Sequence, residues 1–305
     1  MNEEFTSTKI LSSLKEHQET KKVALVLGGG GAKKYAHLGI GQVLVEAGLE
    51  PDLIVGTSMG AVIGSAVASR TDLEEMIKVL NQLNINDILK ITDNKRGELE
   101  RMLGRFLVRK IKIWRRGGQD AENYPVQLKR LFTLFKLMTG NSDVGDLPID
   151  YATVATDLGK GREFVIKSGK IYRAIAASAA IPGFIPPVEI DGQYFVDGGV
   201  VDVLPILPAL AMGATSVLAV NVGNTLGLIS DKNPLSLLYR SDQIKSKELT
   251  EMKKIIARIK LEDNLYVLNL PLEEVDWLNF NDVNGPVSVG RKFARDNLAK
   301  IKDLF

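Results

Sequence analysis

The stretch Pro51 to Gly64, PDLIVGTSMGAVIG, decides how the rest of the chain is read. Leu53, Ile54 and Val55 form a short apolar run that breaks at Gly56-Thr57-Ser58-Met59-Gly60, and Met59 to Ala68 then supplies small and apolar residues. An apolar run closed by glycine reads as a buried strand, and small residues after it suit a helix packed against a sheet. The pattern is G-x-S-x-G. At the apex of a sharp strand-to-helix turn a serine hydroxyl is pushed out of the backbone, and flanking glycines remove side chains that would clash. Ser58 is thus a candidate nucleophile, against the plainer reading of an ordinary turn.

Upstream, Val23 to Leu27 is a continuous apolar pentad, the mark of a strand buried on both faces, and it runs into Gly28-Gly29-Gly30-Gly31-Ala32-Lys33-Lys34. A helix is predicted from about Tyr35 to Ala47, stopped by Gly48 with Pro51 beyond. Strand, glycine loop, helix and the Leu53 strand make one βαβ unit and imply a parallel sheet. The loop brings unobstructed N–H groups to a helix N-terminus, where an anion can sit. A dinucleotide would need an acidic residue closing the second strand and a glycine at the end of the loop. Here those positions are Gly56-Thr57-Ser58 and Lys34, so no nucleotide cofactor is expected. The other candidate anion is the oxyanion of an acyl-transfer intermediate.

The 305 residues are 45% hydrophobic and 25% charged, ordinary for a globular protein with a sizeable core. With no cysteine, disulfides, thiolate metal sites and a cysteine nucleophile are excluded. A net charge of +2 argues against a chain-wide nucleic-acid footprint. Residues 1–21 read as a polar tail, and no apolar stretch reaches the length of a membrane span, so a cytoplasmic protein, soluble or peripheral on a membrane, is expected. Residues 22–305 read as one domain with a helical insertion or lid at about 90–140. Between Lys90 and Lys136 lie thirteen basic and five acidic residues, interleaved with Leu99, Phe106, Trp114, Phe132 and other apolar side chains. This segment reads either as a core-packed lid with arginines facing water or as a surface for anionic membrane.

Further along, a helix is expected from Thr71 to Leu83, strands at Tyr151–Thr156 and Glu163–Lys167, and a short helix at Ile171–Ala180. A hairpin with a D-G turn is predicted at Val188–Ile190 and Gln193–Val196, delivering Asp197-Gly198-Gly199. A strand at Val217–Val222, a long helix at Ser241–Lys260, a strand at Tyr266–Leu270 and a closing helix at Val287–Phe305 complete the reading. A serine nucleophile needs a base, usually histidine. His17 lies in the tail and His37 reads as a packed or capping group; none follows Ser58, which excludes the Ser-Asp-His order of α/β-hydrolases. A carboxylate acting directly on serine remains, and Asp197, followed by two glycines, is the best placed.

Gly29-Gly30-Gly31-Ala32-Lys33, Gly56 to Gly60 and Asp197-Gly198-Gly199, with VATDL at Val154–Leu158 and ASAAIPGFIPPV at Ala177–Val188, resemble the patatin-like phospholipase family. The resemblance spans about Val23 to Val222. It implies a three-layer α/β/α fold around a mostly parallel sheet, hydrolysis of phospholipid or other lipid esters through a Ser-Asp dyad and an acyl-enzyme, and no metal. Ser58 would be the nucleophile, Asp197 the base, and the backbone N–H groups of Gly29, Gly30, Gly31 and Lys33 an oxyanion hole. One position departs from the family's pattern: Lys34 stands where the glycine motif ends in glycine. Either its side chain reaches solvent at the helix start, or it strains the loop or fills space beside the site. The latter would make the chain a weak hydrolase or a silent lipid- or protein-binding module.

Overall fold

Strands that alternate between two apolar layers must be covered on both faces, and this chain supplies both covers. In the computed structural model, which describes residues 20–82, 124–182, 185–222, 234–272 and 280–305, β1 (Val23–Leu27), β2 (Leu53–Thr57) and the later β7 (Ser216–Asn221) form a parallel centre. Leu25, Leu27 and Ile54 point into one core, shared with α1 (Ala36–Glu46), α2 (Met59–Ala68), α3 (Leu73–Gln82), α4 (Tyr124–Thr139), α5 (Ile171–Ser178) and α8 (Asn284–Asp296). Ala24, Val26, Leu53 and Val55 point the other way, onto α6 (Ile206–Ala211) and the Ala257 and Leu261 side chains of α7 (Pro234–Leu261). The result is the three-layer α/β/α arrangement with a mixed, mostly parallel sheet.

β8 (Leu265–Asn269) extends the sheet in parallel beyond β7. On the other side β3 (Asp150–Asp157) lies parallel to β2, while β4 (Arg162–Ile166) and β6 (Gln193–Asp197) run antiparallel to β3, and β5 (Val188–Ile190) pairs with β6. The register carries the point that matters for function. β2 uses Asp150 to Val154 of β3, β6 uses Ala155 to Asp157, and β4 uses Thr153 to Asp157. Because β4 overlaps both, it must occupy the opposite edge, so β2 and β6 lie end to end along one edge of β3.

Several expected boundaries move for physical reasons. The glycine loop closes as a 3-10 turn over Gly31–Tyr35 before α1 begins. The long α7 starts at Pro234, where proline's missing N–H costs nothing in a first turn. The single closing helix becomes two, α8 and α9 (Leu298–Lys302), because Asn297 leaves helical geometry and accepts a 2.6 Å hydrogen bond from the Tyr266 hydroxyl. Of the basic segment, α4 packs Leu131, Leu134 and Phe135 into the core, and Phe132 meets Tyr172 edge-on at 5.7 Å. The remainder of that segment, and His17 with most of the polar tail, lie outside the described residues. Among the described residues no helix is long and apolar enough to cross a membrane.

Candidate active site

The end-to-end meeting of β2 and β6 builds the site. β2 leaves β3 at Thr57, opposite Val154, and β6 ends at Asp197, opposite Ala155. The residue after Thr57 therefore arrives beside Asp197: the Ser58 hydroxyl donates a 2.6 Å hydrogen bond to Asp197 Oδ2. Ser58 holds φ 55° and ψ −124°, a backbone state costly for a residue with a Cβ, and α2 starts at once behind it. That turn is possible because Gly60 lies against the glycine loop. A Cβ there would sit 2.1 Å from the Leu27 carbonyl oxygen.

The strained turn is held by side chains. The Ser58 N–H donates to Ser178 Oγ at 2.8 Å, and Ser178 in turn donates to the Val154 carbonyl at 2.6 Å. Thr57 Oγ1 donates to the Asp202 carbonyl and Thr156 Oγ1 to that of Asp197, both at 2.9 Å. Asp197 Oδ1 accepts from the Gly199 N–H at 2.7 Å. The Asp197 carboxyl is pushed up to about 6 by burial, against the lowering effect of its bonds from Ser58 and Gly199. A carboxylate so placed is ionised at neutral pH and still basic enough to take a proton.

The glycine loop lies over this pair. An added Cβ on Gly29 would come to 3.2 Å from Ser58 Cβ, a tight contact that would press directly on the serine. Its own N–H donates to the Val203 carbonyl at 2.8 Å, and that of Gly28 to Val220 at 3.2 Å. Gly30 and Gly31 follow with φ of 134° and 68°, and Gly31 lines a cavity with Ser58. Lys33 sits in the 3-10 turn.

Lys34 neither reaches solvent nor strains the loop, but it does fill space beside Gly30. Its backbone is helical, so lysine strains nothing. Its side chain is 1% exposed and donates to the Val222 carbonyl at 2.7 Å. Burial, with the charge of Lys33, holds its ammonium well below the ordinary lysine value. His37 is also buried, its Nε2 at 2.9 Å from the Gly28 carbonyl oxygen. Burial and then Lys34 lower its pKa to about 3, against the raising effect of the Gly28 bond, so the ring is neutral and Nε2 is the donor. It packs the loop from behind and does not reach Ser58 by any bond among the described residues.

The cavity at Ser58, about 70 Å³, is apolar, walled by Met59, Val62, Leu134, Phe135, Met138 and Ile185. A larger groove of about 550 Å³ lies between the ends of α1 and α2, at Val45, Pro51 and Arg70, and shares no residue with it. Away from the pocket, Lys253 of α7 pairs with Glu163 at 3.0 Å and Asp202 at 2.7 Å, and donates to the Val201 carbonyl. Ser178, Asp202 and Lys253 were not singled out from the sequence. The first sits in the small-residue run IYRAIAASAA, where its hydroxyl was the one available signal.

Known proteins resemble this chain in sequence and in part in structure. An uncharacterized NTE family protein of Mycobacterium tuberculosis is 35% identical over 70% of this chain and 52% of its own length. A Coccidioides immitis protein named lysophospholipase NTE1 is 28% identical over 93% of this chain but 18% of its own. The crystal structure of VipD from Legionella pneumophila overlays 94% of this chain and 67% of that one, with a TM-score of 0.48 and 16% identity. The chain thus spans about half, or less, of the length of these sequence relatives. Residues 25–210 match the model of the patatin-like phospholipase family, and the chain belongs to that family.

Proposed function

We propose that this protein hydrolyses acyl esters of lipids through Ser58 and Asp197, with a single-chain lipid such as a lysophospholipid as the substrate class. The observation that carries the reading is the 2.6 Å Ser58–Asp197 bond at a strained elbow beside an apolar cavity. The chemistry runs in two balanced halves. Ser58 Oγ attacks the ester carbonyl while Asp197 Oδ2 takes its proton; the tetrahedral intermediate collapses, and Asp197 returns that proton to the departing alkoxide. Water then attacks the acyl-enzyme, giving its proton to Asp197, and the freed Ser58 oxygen takes the proton back as the fatty acid leaves.

The developing oxyanion faces the glycine loop. Gly29's contribution is its missing side chain, because its N–H is already committed to Val203; the donors are assigned to Gly30 and Gly31, with Lys33 completing the turn. The acyl chain lies along Val62, Leu134 and Phe135, whose burial away from water favours alkyl groups. The relatives named lysophospholipases support the substrate class. Lys34's unstrained backbone weighs against a silent module.

The test is covalent labelling of the purified chain by a fluorophosphonate, with mass spectrometry to locate the adduct, beside hydrolysis of lysophosphatidylcholine. Label on Ser58 and turnover are expected in wild type, with both lost in Ser58→Ala and turnover lowered at least about a thousand-fold in Asp197→Asn. Full turnover in Ser58→Ala would overturn the reading.

A further inference from the structure

A run of four glycines has little to orient its peptide planes, yet an oxyanion hole works only if its N–H groups point at one spot beforehand. The first two are fixed by the carbonyls of Val220 and Val203. Among the described residues, no backbone carbonyl accepts from Gly30 or Gly31, the two left for the oxyanion. What bears on Gly30 instead is a side chain. The Lys34 Cε lies 2.8 Å from where a Gly30 Cβ would sit and Nζ lies 3.4 Å from it, so the aliphatic stem packs on the bare face of the Gly30 Cα. Nζ then fastens to Val222.

The end of β7 therefore grips the loop on both sides of Gly30. Val220 accepts from the Gly28 N–H before it, and Val222 accepts from Lys34 Nζ after it. Gly30, with φ 134°, is held in a conformation open only to glycine between two anchors on one strand end. A lysine taken out of water here loses solvation and side-chain freedom, and one backbone hydrogen bond offsets only part of that cost. Such a cost is tolerated where the arrangement serves something besides stability.

We propose that Lys34 is a positioning residue for the oxyanion-binding loop, its stem and its bond to Val222 holding the Gly30 peptide in the orientation the reaction needs. The inference rests on the Ser58–Asp197 esterase reading. It requires Lys34 to support turnover, the opposite of a lysine that obstructs a site.

The test measures kcat and KM for p-nitrophenyl butyrate hydrolysis by the full chain, normalised to the fraction of Ser58 that a fluorophosphonate can titrate. Lys34→Met keeps an apolar stem and loses the donor, and Lys34→Ala loses both. Each is expected to lower kcat roughly tenfold or more, with KM changed far less, because the loop meets charge only in the transition state. Added propylamine, which replaces the missing atoms, is expected to restore much of the kcat of Lys34→Ala, while propanol is not. A residue serving stability alone would lower the melting temperature and the titratable fraction but leave kcat per titrated site unchanged. Unchanged or raised kcat in both variants overturns the inference and leaves the esterase reading standing. A wild type that neither labels at Ser58 nor turns over overturns both. If Lys34→Met does not fold, Lys34→Ala with and without propylamine carries the same comparison.

Discussion

In the proposed mechanism one residue, Asp197, sets both activity and stability. Its carboxyl is raised from an ordinary value near 3.8 to about 6, chiefly by burial. Only the ionised form can accept the Ser58 proton, so kcat/KM is expected to climb with pH through about 6 and level off above it. The stability sign is opposite. A carboxyl whose folded value lies above its unfolded one favours the folded state fully below about 3.8, and that contribution is lost as pH rises through about 6. Above pH 6, Asp197→Asn is therefore expected to gain up to about 3 kcal/mol over wild type while losing activity, since each pKa unit is worth about 1.4 kcal/mol. Urea unfolding at pH 5 and pH 7.5 checks this; an Asn variant no more stable at the higher pH would contradict the buried-charge account. Ser58 and Asp197 were both legible in the sequence because glycines announce sharp turns. Ser178 and Thr57 were not, because each acts on a backbone group contributed by a distant stretch: Val154 and Ser58 for one, Asp202 for the other.

At the scale of elements, the site exists because β3 is longer than β2 and lends its spare edge to β6. The individual strands could be read from apolar runs and the β5–β6 hairpin from its Asp191-Gly192 turn, but no local pattern says that two strands will share one edge. The same limit applies to the chain's end, where the break between α8 and α9 depends on Tyr266, a partner on another strand. What local pattern does show is the need for small residues where α2 crosses the glycine loop. Gly60→Ala would drive a Cβ to 2.1 Å from the Leu27 carbonyl oxygen, a rigid backbone atom, so α2 must move off β1. The expected cost is about 3 kcal/mol or more, with Ser58 displaced. Denaturant unfolding and fluorophosphonate labelling should fail together in this variant, and retention of both would show that the crossing yields easily.

For the whole molecule, the parallel centre was legible from short unbroken apolar runs such as Val23–Leu27, whereas the charged cluster joining the helical layer to the site was not. Glu163, Asp202 and Lys253 come from a strand, the loop after Asp197 and α7, with nothing in their local sequence to pair them. Burial and then Asp202 push Glu163 up to about 8, with Lys253 opposing, so at neutral pH Glu163 keeps its proton and can share it with Asp202. Burial works against the Lys253 charge, but Asp202 and Glu163 together raise its pKa, so it stays an ammonium. The cluster sets the Lys253 cation against two carboxyl groups, and it clamps α7 to the Val201 and Asp202 turn whose backbone holds Thr57 beside Ser58. Since the folded value of Glu163 lies above its ordinary value of about 4.5, its stabilising contribution is full below that pH and is lost as pH rises to about 8. Glu163→Gln, which cannot ionise, is expected to flatten this decline and to exceed wild type in stability at pH 9. Lys253→Met leaves Asp202 as a buried charge without its cation and is expected to cost about 3–5 kcal/mol. Thermal unfolding of the three proteins from pH 5 to 9 separates these effects: parallel curves for wild type and Glu163→Gln would mean that the glutamate is ionised throughout and the cluster holds two anions.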